Sequence, residues 1–83
     1  MDSENIFNEV QEIFRDIFDD NNLDINYQTN SGNIENWDSL NHINLISAIE
    51  KQFKVKFTLT ELFNLTDVGL LLKLLTKKIN LKN

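Results

Sequence analysis

The stretch ENWDSLNHINLISAIEKQF, residues 35–53, decides the fold, because a single helical face runs through most of it. Leu40, Ile43, Ile46, Ile49 and Phe53 recur at three- and four-residue steps, and Leu45 and Ala48 widen the stripe, which predicts a helix from about Ser39 to Phe53. A serine before an apolar run ordinarily serves as the N-cap. Here Asp38 is itself a competent cap, and position 42 is histidine rather than glutamate or glutamine, so no capping box engages Ser39. The Ser39 hydroxyl is therefore expected to be free. It stands where unsatisfied amides and the positive end of the helix dipole favour an attached phosphate. Leu40, near the helix start where burial is incomplete, offers an apolar contact to a partner.

Outward from this stretch the chain reads as helices. Ile6, Phe7, Val10, Ile13, Phe14, Ile17 and Phe18 line one face of a first helix over residues 4–18, with Ser3 as its cap and Glu4 and Glu9 suited to its positive end. Residues 19–37 are rich in Asp, Asn, Ser and Thr and read as a long loop with Leu23, Ile25, Tyr27 and Ile34 as apolar anchors. Asp20, Asn22 and Asp24 alternate as in a calcium loop, but Ile25 stands where that loop needs glycine and Ser31 where it needs a bidentate glutamate. After the second helix, KVKFT reads as a connection whose Val55 and Phe57 plug the core. Thr58 and Glu61 have capping-box spacing ahead of a short third helix over LTELFNL. Thr66 or Asp67 caps a fourth, with Val68, Leu71, Leu72, Leu75 and Ile79 on its buried side and Lys73, Lys77 and Lys78 in solvent. Gly69 weakens its first turn, and the last residues, NLKN, are expected to fray. The fold class is all-α: a small four-helix bundle of three longer helices and a short third, with a long loop between the first two.

Composition bounds the function. With 83 residues, no cysteine, no proline and two glycines, the chain reads as one domain, residues 1–83, near the lower limit at which a single apolar core holds a fold. The acidic N-terminus and the lack of a long apolar run point to a soluble, cytoplasmic protein with no membrane insertion. Residues 1–50 hold eleven acids against Arg15, a balance of −10, whereas residues 51–83 balance at +5. A net charge of −5 argues against nucleic-acid binding and favours basic protein partners. Catalysis has little material. Ser39 and His42 suggest a serine and base pair, but both are expected to point outward, with no oxyanion donors and no pocket, so His42 reads as an exposed helix residue. Without a thiol and with one imidazole, no metal site is expected.

Asp38, Ser39 and Leu40, followed by NHINLISAIEKQF, resemble the acyl carrier protein motif, and the resemblance extends over roughly residues 4–79. It implies a 4′-phosphopantetheine arm joined covalently to Ser39 by a phosphopantetheinyl transferase, so that the thiol missing from the chain is imported with the cofactor. It also implies that acyl groups ride on that arm as thioesters to acyl-loading and acyl-processing enzymes with basic docking patches. Asp38, Leu40, Ile46 and Glu50 occupy positions resembling the family's recognition surface. A monomeric, non-catalytic carrier is expected. Asn44 and Lys51 stand where many fatty-acid carriers have acids, and WDSLNH looks more like the specialised carriers of biosynthetic pathways, whether fatty-acid, polyketide or related. An aminoacyl or peptidyl carrier, or a non-covalent helical adaptor of the same fold, are the alternatives. Trp37 reads as a loop aromatic anchored on the bundle.

Overall fold

The computed structural model describes residues 3–82 as four helices in the order α1 (Ser3–Ile17), α2 (Ser39–Phe53), α3 (Leu59–Asn64) and α4 (Val68–Lys82). α1 packs against both α2 and α4 and forms the spine of the bundle. Its stripe behaves as the spacing requires: Ile6, Val10, Phe14 and Phe18 are buried, while Phe7, Ile13 and Ile17 pack at the edge of the core. All five apolar positions expected to line α4 (Val68, Leu71, Leu72, Leu75 and Ile79) are buried. Each fully enclosed side chain of this kind contributes roughly 1.5–3 kcal/mol relative to exposure. In α2 the stripe divides. Leu45, Ile46, Ile49 and Phe53 enter the core, but the first turn overhangs it, leaving Leu40 and Ile43 in solvent.

The helix ends correct several expectations. Ser3 lies within α1 rather than before it, so the cap of α1 falls outside the described residues. α4 continues through Asn80 and Leu81 to Lys82 where fraying was expected. Asp67, not Thr66, caps α4, its Oδ1 accepting from the Leu70 amide at 2.7 Å. The spacing of Thr58 and Glu61 is realised as a reciprocal capping box, the Glu61 amide donating to Thr58 Oγ1 at 3.1 Å and the Thr58 amide to Glu61 Oε1 at 2.8 Å.

The crossover over residues 19–37 contains turns but no helix, and its order comes from polar side chains. Arg15 donates from Nε to the Leu23 carbonyl at 2.7 Å and pairs with Asp24 at 3.0 Å, while the Ile25 amide donates to Gln11 Oε1 at 2.9 Å. These bonds seat Ile25 in the core; Ile34 and Trp37 are buried further along. The crossover then docks on α4, where the Val68 amide donates to the Thr29 carbonyl and the Gly69 amide to the Tyr27 carbonyl, each at 2.9 Å. The first amides of a helix have no partner within it, and here the loop supplies two. Gly69 is thus more than a tolerated weak point, because a Cβ on it would stand 2.8 Å from the Tyr27 carbonyl oxygen. Only glycine fits without a shift of backbone.

Candidate functional site

The site is built at the head of α2. Asp38, with extended backbone dihedrals, caps the helix by accepting the Asn41 amide on Oδ1 at 2.9 Å, and its carbonyl accepts the His42 amide at 2.8 Å. The Asn41 side chain reaches back to the Asn36 carbonyl at 2.7 Å and fixes the approach of the loop. Because Asp38 does the capping, Ser39 is exposed and its hydroxyl has no hydrogen-bond partner among the described residues. The amides of Ser39 and Leu40 are also without partners there, as expected for the first turn.

Beside Ser39 lies an open cleft of about 250 Å³, lined by Ser31, Trp37, Asp38, Ser39, His42, Phe63, Leu65 and Thr66. Sequence reasoning expected no pocket, since the wall formed by Phe63 and Leu65 comes from a segment more than twenty residues away. It also expected His42 to be a plain exposed residue. The imidazole is instead half-buried, with Nδ1 accepting the Trp37 indole N–H at 2.9 Å and Nε2 at 2.7 Å from the Leu62 carbonyl. Trp37 lies edge-on to Phe14 at 5.3 Å between ring centroids, which anchors it on the bundle. A serine and base pair finds no support in this arrangement, because both imidazole nitrogens are engaged away from Ser39.

The residues expected to meet partners divide. Leu40 is 68% exposed next to the serine. Asp38 is exposed, with one carboxylate oxygen engaged in the cap. Ile46 is 0% exposed, packed in the core, and presents nothing to a partner; its place on the recognition surface is corrected by the way α2 rolls onto α1. Glu50 is half-buried, and its Oε2 accepts the Phe57 amide at 2.8 Å, which ties the connection after α2 back to the helix. Missed by the sequence was Phe63 of α3, which is 58% exposed and lines the cleft; Ile43 on α2 and Leu59 on α3 are further exposed apolar residues, at 43% and 70%. Their signal was apolar residues at the ends of helical stripes, which periodicity cannot separate from core.

Lys78, expected in solvent, instead pairs with Glu61 at 2.9 Å and stands 5.3 Å above the Phe57 ring. The Glu61 carboxyl is held below the ordinary glutamate range, first by the hydrogen bond from the Thr58 backbone and then by Lys78. No helix is long and apolar enough to cross a membrane, and no cluster of metal-ligating side chains occurs, among the described residues.

The family model for the phosphopantetheine attachment site matches residues 8–75. A solution structure of holo acyl carrier protein from Geobacter metallireducens is 41% identical, with a TM-score of 0.85 over 92% of this chain and 87% of that one. The chain belongs to the acyl carrier protein family. No curated protein sequence matches it. Membership makes this acyl carrier protein a carrier rather than a catalyst, with 4′-phosphopantetheine as its covalent group. The donor set at the head of α2 fits such a group: a free hydroxyl can bear the phosphate, two unpaired amides can face its oxygens, and the neighbouring cleft is partly apolar.

Proposed function

We propose that Ser39 is the point of attachment, and that residues 1–83 act as one cytoplasmic carrier domain passing acyl groups among the enzymes of a specialised biosynthetic pathway, fatty-acid, polyketide or related. The observation that carries this reading is the exposed Ser39 hydroxyl, without a hydrogen-bond partner among the described residues, at the start of a helix that another residue caps. A serine spared from capping is available to be modified, and the helix terminus favours the anionic product. When bound, the arm supplies a thiol on which acyl groups are held as thioesters. The chain's own residues would supply the seat: Asp38 keeps the helix head ordered, and the amides of Ser39 and Leu40 would be the donors available to the phosphate.

The partners in this reading are a phosphopantetheinyl transferase and acyl-loading and acyl-processing enzymes with basic docking patches. The −10 balance of residues 1–50 supports them. Asp38 and Glu50 supply charge, and Leu40 the apolar contact. The outward face of α2 beyond Leu40 carries Asn44, Ser47 and Lys51, all exposed, so charge there is sparse. That sparseness supports dedicated partners over general fatty-acid enzymes.

Incubation with a phosphopantetheinyl transferase and coenzyme A, followed by intact mass measurement, tests the assignment. One added phosphopantetheinyl group is expected, absent from Ser39→Ala. No gain with several transferases would overturn the assignment and favour a non-covalent adaptor.

A further inference from the structure

α3 cannot hold itself in place. It has six residues, none of them fully buried, and isolated helices shorter than about 12–15 residues are marginal in water. Leu62 packs at the edge of the core, and polar attachments do the rest of the holding. The capping box fixes its first turn, and Lys78 on Glu61 ties its outer face to α4. The attachment at its other end comes from α2, where His42, three positions beyond Ser39, reaches the Leu62 carbonyl at 2.7 Å.

That contact has a defined polarity. The indole N–H of Trp37 can only donate, so His42 Nδ1, 2.9 Å away, must accept. The neutral ring then carries its hydrogen on Nε2 and donates it to the Leu62 carbonyl. The ring is held nearly coplanar with Trp37 as well, edge to edge through the indole hydrogen bond, with 6.0 Å between centroids and 26° between planes. Trp37 is 7% exposed and lodged against Phe14, which is 0% exposed. A continuous series of contacts thus runs from the centre of the core through Trp37 and His42 to the backbone of α3. The next residue after Leu62 is Phe63, which lines the cleft beside Ser39.

We propose that His42 is a positioning residue, a latch that holds α3 and its Phe63 at the cleft beside Ser39, so that enzymes acting at Ser39 meet a preset surface. A residue that merely filled space would need no nitrogens; phenylalanine would serve as well. The effect at Ser39 rests on the carrier reading above, whereas the latch itself does not.

Three measurements separate the possibilities. In the wild-type protein, NMR is expected to show scalar coupling across the Trp37 N–H to His42 Nδ1 bond and ring-nitrogen shifts of the Nε2–H tautomer. In His42→Phe, amide exchange in α3 is expected to rise about five- to tenfold, as suits the loss of one or two intramolecular hydrogen bonds, while α1 and α4 keep their protection. With a phosphopantetheinyl transferase, the same variant should show a KM raised several-fold at nearly unchanged kcat, and His42→Gln, which retains an acceptor and a donor, should recover much of both effects. Unchanged α3 exchange in His42→Phe, an equal rise in all helices, or the opposite tautomer would overturn the latch. Should His42→Phe not fold, the wild-type coupling and His42→Gln decide. If wild-type Ser39 takes no phosphopantetheinyl group while α3 exchange responds as expected, the carrier reading fails and the latch stands.

Discussion

α1 and α3 are both helices of this bundle, yet they are held by opposite means. α1 runs for fifteen residues and places Ile6, Val10 and Phe14 at 0–1% exposure, so its position follows from apolar burial, which is strong and has little directionality. α3 runs for six residues and buries none fully, with Leu62 packed only at the edge of the core, so its position leans on hydrogen bonds and one ion pair. The difference teaches where rigidity is placed. The helices that hold the molecule together lie behind the site, and the element that walls the cleft beside Ser39 is fastened by contacts of about 1 kcal/mol each, which a partner or a change of solvent can compete with.

The comparison can be broken at three points. Phe14→Ala should remove about 3–5 kcal/mol, seen as a large loss in denaturant midpoint with all helices losing amide protection together; protection lost in α1 alone would contradict its place as the spine. Gly69→Ala should cost about 1–3 kcal/mol by forcing the Tyr27 carbonyl away, although alanine is the better helix former by about 1 kcal/mol. A stabilised variant in thermal melts would show that the loop gives way freely. The mildest break is acidification. Glu61 titrates below the ordinary value of 4.5 in the folded protein, so its contribution to α3 is fully present above that value and is lost as pH falls through its lower folded one. Exchange in α3, corrected for the intrinsic pH dependence, should then rise ahead of exchange in α1. Simultaneous loss in both would erase the distinction.

What the sequence disclosed follows the same division. The core face of α4 could be read residue by residue, because five apolar positions at helical spacing have only one way to be buried together. The capping box of α3 and the cap of α2 were legible for a similar reason, being contacts between residues three apart. Non-local contacts were not. His42 meets a carbonyl twenty residues on, Gly69 meets one forty-two residues back, and Glu50 folds onto the amide of Phe57. None of these leaves a periodic trace. Ile46 shows the limit of the pattern itself: the stripe of α2 was visible, but which of its turns faces solvent depends on how the helix rolls onto α1, so Leu40 and Ile43 emerge while Ile46 does not.

Trp37 is the chain's one tryptophan, two positions from Ser39. Its indole is sheltered, bonded to the ring that fastens α3, and part of the cleft lining. The molecule thus comes with its own fluorophore at the place of interest. Emission wavelength and quenching should register cargo arriving, departing or shifting against the cleft, in real time and without a dye, in a protein whose remaining aromatic residues are Phe and a single Tyr.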